Sequence, residues 1–350
     1  MRIFLIILGF LTINVNSQFL PRLLSRAFGL ESDYSIPELL NNLIAGAGFT
    51  RDRLLQQPEL IPIEEDVTFY CLNRETRKIY QTKLNDTEIT NKIDVTKPVV
   101  FIIHGWLDNF YRNWVQEMMA EYIDYQDVNV CAVDWSRLAI YEYTISAREN
   151  VPEVGWYLAT FILYLEDLGV NLGNVSLVGH SLGAQIAGIA GDYLAGQLDA
   201  IYALDPAGPS FTQPTVVHEK LRLDPSDAKY VQTIYTTKLL LGSSIDVGHQ
   251  NFHPNGGLNP QPACLTPIGR SDELTPGLLA CSHNIAHTYF RFALNPKNVF
   301  KARECNSVVN FQLGLCLRGR ADKMGIYAKR KKGKFYLSTT AFEPYVSPNI

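Results

Sequence analysis

The 350-residue sequence predicts an α/β fold, a mostly parallel central sheet with helices on both faces. Three observations carry that prediction. The run at 98–106 is continuously apolar rather than alternating, as a strand buried on both faces must be; 128–135 reads as another buried strand and 174–180 as a further strand. Segments with helical spacing of apolar residues separate them. The resulting strand–helix–strand order needs right-handed crossovers between parallel neighbours. Apolar residues make up 47% of the chain, enough for a large core, and a net charge of −4 gives no reason to expect nucleic acid.

Taken in order, residues 1–17 read as a secretory signal peptide. Arg2 supplies the positive start, Ile3 to Val15 the apolar stretch and Val15-Asn16-Ser17 small residues for cleavage. That stretch is too short to span a bilayer and no other is long and apolar enough, so a secreted, extracellular protein with no transmembrane segment is expected. Residues 18–60 form an N-terminal leader of unknown role, and 61–350 a single domain. Within it, "VTFYCL" and "RKIYQT" pair as strands, and strand 98–106 is followed by a helix over 114–123. Strand 128–135 leads to a helix ending at Gly169, then strand 174–180, a helix from Leu182, and strands over 198–207 and 229–237. The stretch "VGHQNFHPNGG" reads as a loop whose His249 and His253 bond to backbone, and "KRKKGK" at 329–334 as a solvated hairpin turn.

Six cysteines in a secreted chain imply three disulfides. Cys264 with Cys281, and Cys305 with Cys316, read as local loop closures; Cys71 and Cys131 are then left to each other. No spacing suits zinc. The sequons at Asn85 and Asn174 are candidate glycosylation sites, the first in a polar turn and the second against a buried strand.

The chemistry concentrates at Gly179-His180-Ser181-Leu182-Gly183, between a strand and a helix. A turn this sharp needs glycine at both flanks, and it lifts the serine out at the top of the sheet beside a helix N-terminus. The bland alternative is that Ser181 caps the helix. A nucleophilic serine needs a base, and the base an orienting carboxylate. Asp205 ends the next strand. His283, after Cys281-Ser282, is the base, on a loop held by a disulfide, with His287 as runner-up. Backbone N–H groups of Leu182 and Trp106, the latter after Gly105, are the oxyanion-hole donors.

Together, "GHSLGA", "ALDPAGP", "RLDPSDAKYV", "VGHQNFHPNGG", "CSH" and "HGW" resemble the pancreatic-lipase-like secreted lipases over about residues 67–328. The resemblance implies an α/β-hydrolase fold, a triad at Ser181, Asp205 and His283, and the same two oxyanion-hole amides. It also implies a structural Ca²⁺ site at Glu219, the main-chain oxygen of Arg222, Asp224 and Asp227, hard oxygen ligands of the kind that ion takes. No cofactor is expected for catalysis. The loop 265–280 corresponds to the family lid. It and the loop 238–246 are short, which in the family accompanies phospholipase A1 activity. The family's C-terminal β-sandwich has no match, so its partner protein is not expected.

The expected function is therefore a secreted carboxylic ester hydrolase acting on glycerolipids at a lipid–water interface, as a triacylglycerol lipase, a phospholipase A1 or both. A catalytically silent, yolk-like lipid carrier on the same fold is the alternative. The basic run around Lys331 and Lys332 suggests weak contact with heparan sulfate or anionic lipid.

Overall fold

The computed structural model describes residues 62–265 and 277–347. The expected signal peptide and leader, and residues 266–276 of the expected lid, lie outside these residues. Eleven described strands form one sheet in the order β10-β9-β11-β8-β7-β6-β5-β3-β4-β1-β2. They are β1 (Thr68–Asn73), β2 (Ile79–Thr82), β3 (Val99–Ile103), β4 (Asn129–Asp134), β5 (Val175–His180) and β6 (Ala200–Leu204), then β7 (Val231–Ile234), β8 (Gln250–Pro254), β9 (Lys301–Glu304), β10 (Ala321–Lys323) and β11 (Gly333–Leu337). Pairing is parallel from β4 through β3, β5, β6, β7 and β8 to β11, and antiparallel at both edges. The mostly parallel sheet expected from the sequence is present.

The principal helices are α1 (Asn113–Tyr125), α2 (Val151–Asp167), α3 (Leu182–Tyr193), α4 (Gly277–Phe292) and the short α5 (Val308–Gln312). Buried residues of α2 and α3 join one face of the sheet in a core that includes Phe69, Phe101 and Phe161. Those of α1 and α4 join the other face around Ile102, Phe252 and Phe290. Every residue of β3, β4 and β6 is buried, which is why their sequences run apolar without alternation.

Disulfides join Cys71 to Cys131, Cys264 to Cys281 and Cys305 to Cys316. The first links residues directly opposed in the β1–β4 register. Asn85 and Asn174 are both exposed, so the buried strand beside Asn174 does not cover its side chain.

Two expectations are corrected. "VGHQNFHPNGG" is not only loop, because β8 runs through it. His249 accepts a hydrogen bond from the Val231 N–H at 3.0 Å, but His253 is sandwiched between the rings of Tyr235 and Tyr336 at 5.0 and 4.8 Å. Burial drives its pKa down to about 3, so it packs there as a neutral ring. The basic run is not a hairpin turn either. It leads from β10 into β11, and β9 lies between those two strands. Polar, charged strands at an antiparallel edge carry no continuous apolar run, and the hydrophobic pattern passes over them.

Candidate active site

The three residues singled out by sequence all lie at the C-terminal ends of parallel strands or directly against them. Ser181 follows β5 with φ +57° and ψ −120°, a left-handed conformation that non-glycine residues avoid. What holds it there is the absence of two side chains. A Cβ on Gly179 would stand 2.3 Å from the Gly183 carbonyl oxygen, and one on Gly183 would stand 2.3 Å from that of Ile103. Strand, turn and helix therefore close on one another as only glycine permits. Gly179→Ala should destabilise the protein by about 3 kcal/mol or prevent folding, readable as a lowered denaturant midpoint. A midpoint equal to the parent's would mean that the turn is looser than this.

The capping alternative fails on the geometry. Ser181 occupies the N-cap position of α3, yet its side chain makes no capping hydrogen bond. Its Oγ is not committed to the helix.

Asp205 follows β6, also at positive φ (+43°), and is fully buried. Its Oδ1 accepts the backbone N–H groups of Thr236 and Thr237 at 2.8 and 3.1 Å. Its Oδ2 accepts the Thr237 hydroxyl and the Nδ1–H of His283, the latter at 2.6 Å. Oriented this way, the imidazole keeps its proton on Nδ1 and leaves Nε2 with a free lone pair. His283 does not sit on a loop, as expected, but inside α4. The disulfide Cys264–Cys281 and the hydrogen bond from the Gln261 N–H to the Ser282 Oγ (2.9 Å) fix the helix immediately before it. His287, the runner-up, faces elsewhere. It stacks on Trp114 at 4.4 Å, and burial holds it well below the ordinary histidine range, hence neutral.

The candidate oxyanion donors border the serine. Leu182 is the first residue of α3, and Trp106 follows Gly105, whose Cβ position lies 2.9 Å from that of Ser181. The Trp106 indole donates to the Tyr141 carbonyl at 2.8 Å and meets Tyr143 edge-on, so its main chain is held from outside the site. His104 secures the same loop. Its Nε2 accepts the Trp135 backbone N–H at 3.1 Å, which leaves the proton on Nδ1 to donate to the Gly105 carbonyl at 2.9 Å.

Sequence reasoning missed four contributors. Thr236 and Thr237 act on Asp205 mainly through backbone N–H groups, which leave no residue signature. His104 stood inside a quoted motif without a role. His180 is buried and donates from Nε2 to the main-chain oxygen of His283 at 3.2 Å. Its Nδ1 has no partner, and burial keeps the ring neutral.

The four residues of the expected Ca²⁺ set are only partly gathered. Asp224 caps a short helical turn by accepting the Ser226 N–H, and Asp227 accepts the Asp224 N–H at 2.7 Å, so the two carboxylates form a reciprocal capping box. Glu219 is exposed, and among the described residues no three acidic, histidine or cysteine side chains converge as a metal-holding group. Asp227 nonetheless fits a cation. Its Oδ1 is buried without a partner, and burial raises its pKa to about 8.

A family model described as Lipase matches residues 38–345, beginning inside the segment read as a leader. The chain belongs to the lipase family. This lipase-family chain is 34% identical over 318 residues to pancreatic lipase-related protein 2 of Bos taurus, the alignment covering 82% of the chain and 66% of that protein. It is likewise 34% identical over 316 residues to pancreatic triacylglycerol lipase of Mus musculus, covering 83% and 67%. The chain thus spans about two thirds of the length of these relatives. Among solved structures the chain also matches MGS-M1, an alpha/beta hydrolase enzyme from a Medee basin deep-sea metagenome library, with 15% identity and a TM-score of 0.32, covering 51% of this chain and 73% of that one. The mostly parallel sheet, the strand–Ser181–helix turn and the family match make the fold one of the α/β-hydrolase class.

Proposed function

We propose that the chain is a secreted carboxylic ester hydrolase that cleaves acyl esters of glycerolipids through a covalent acyl-enzyme on Ser181. One observation carries the reading: Asp205, held by three donors, sets the tautomer of His283 across a 2.6 Å contact. In the first half-reaction, His283 Nε2 takes the Ser181 proton as Oγ attacks the acyl carbonyl. The oxyanion that forms is met by the N–H groups of Trp106 and Leu182. His283 then protonates the leaving alcohol. In the second half-reaction His283 activates water, the acyl group leaves as the fatty acid, and Ser181 recovers its proton.

The relatives' names supply the lipid class, triacylglycerol in the case of the mouse protein. The short loop 238–246 supports a phospholipid as well. In the family it resembles, short loops here accompany phospholipase A1 activity, and this one is held compact by Gly242 N–H to the Thr237 carbonyl (3.1 Å) and by the Ser244 hydroxyl to the Thr212 carbonyl (2.7 Å). Side-by-side hydrolysis of triolein and phosphatidylcholine by the purified chain tests this. Release of the sn-1 fatty acid from phosphatidylcholine is the expected phospholipase A1 result. Failure on both lipids sinks the lipase reading and favours a carrier.

Calcium belongs to the same proposal, in a structural role. Asp224 and Asp227 would hold it, with the Arg222 oxygen and Glu219 completing the set; its charge would offset two carboxylates brought close in a buried place. Added Ca²⁺ should raise the melting temperature by a few degrees, and Asp227→Asn should erase that rise. An identical melting temperature with Ca²⁺ and with chelator would exclude the ion.

A further inference from the structure

The segment after β9 carries chemistry that the ester site does not use. Between Cys305 and Cys316, and just beyond, Val309, Leu313, Leu315 and Leu317 leave 58%, 66%, 69% and 72% of their surface exposed. Four large aliphatic side chains this open within nine residues are uncommon on a surface that faces water alone. The loop that carries them is nevertheless well anchored. The Ser307 side chain caps α5 by accepting the Asn310 N–H, Phe311 stacks on Tyr336 at 5.6 Å, and Val308 lies 2.5 Å from the Cβ position of Gly256. With those residues spent on the protein, the leucines are left to solvent.

Charge is segregated to the same region. Residues 297–334 hold eleven Lys and Arg against two acidic residues, in a chain whose net charge is −4. Arg320, Arg330 and Lys334 are paired with Glu304, Asp199 and Asp246. Arg318, Lys323, Lys329 and Lys332 are exposed and, among the described residues, without an ion-pair partner. Arg320 also donates to the Lys332 carbonyl at 2.8 Å, which brings the basic run up beside the segment that follows the leucines.

We propose that Val309, Leu313, Leu315 and Leu317, rimmed by Arg318 and Lys332, form a docking surface for an anionic phospholipid bilayer. The inference deepens the glycerolipid reading above and rests on it. Exposed leucines gain only from an apolar phase, which a polyanionic chain does not offer. The basic rim gains from a negative surface potential, which an uncharged apolar partner does not offer. An anionic bilayer supplies both at once.

The test uses the full chain as Ser181→Ala, so that vesicles are not consumed, floated with phosphatidylcholine vesicles containing or lacking phosphatidylglycerol. Binding should require phosphatidylglycerol and weaken with salt. Replacing Leu313, Leu315 and Leu317 together by serine should weaken it roughly tenfold or more, and Arg318→Gln with Lys332→Gln should also weaken it. With Ser181 restored, both sets should turn over a soluble short-chain ester like the parent. Unchanged vesicle binding in the leucine set overturns the proposal, as does a response confined to a heparin column, which would make the rim a polyanion site. Should serine at these positions impair soluble-ester turnover, isoleucine in their place must recover turnover and vesicle binding together; turnover alone overturns the proposal. A parent chain that binds vesicles but cleaves no ester refutes the catalytic reading instead.

Discussion

Ser181→Ala should lower turnover of a soluble short-chain ester by about 10⁴-fold or more. Its circular dichroism should be unchanged. The backbone adds a sharper expectation. Ser181 is held at φ +57° by the turn, not by its hydroxyl, and alanine inherits that strain because it keeps a Cβ. Glycine does not. Ser181→Gly should be as inactive as Ser181→Ala but more stable by about 1 kcal/mol, a rise in melting temperature of a few degrees. Active alanine protein would remove Ser181 from the mechanism. Equal stability of the two variants would show that the elbow stores no strain.

The second large effect concerns Asp205. In Asp205→Asn the amide oxygen keeps the two backbone donors of Thr236 and Thr237, so the NH₂ group must face His283. An NH₂ can only donate, which forces the imidazole to accept at Nδ1 and to carry its proton on Nε2. The base then points a proton, not a lone pair, at the nucleophile. We expect kcat to fall by about 10⁴-fold with little change in KM. The clean readout is that split, together with recovery at alkaline pH if hydroxide can do the work of the base. A loss confined to KM would place Asp205 in substrate binding.

Much of this was legible from residue order, and the physics explains which parts. Asp205 sits where a wholly apolar, buried strand stops, which makes it conspicuous, whereas the strand before Ser181 already holds Ser176 and His180 and it is the flanking glycines that mark the serine. The glycines at 179 and 183 were legible because a close approach admits no other residue. His283 lies against Asp205, but its setting is a helix and not the expected loop. The helix around it begins at Gly277, so Cys281 and Ser282 are already helical where the sequence suggested a loop. The tether of Asp205 was invisible because backbone N–H groups look alike in every sequence. The β8 to β11 edge was under-read for the reason that made the centre easy: a strand such as Lys301–Glu304 has one exposed and three covered or half-covered positions, and no run of apolar residues marks it.

The staple before His283 has a consequence for how such enzymes diversify. Cys264 and Cys281 hold their Cα atoms 5.8 Å apart, and the Gln261–Ser282 hydrogen bond closes the same neck. Both ties reach α4 within two residues of His283, so changes in the intervening sequence are expected to leave the register of that helix, and the contact with Asp205, where they are. Drift in that stretch is therefore expected to alter ester preference before it alters the contact.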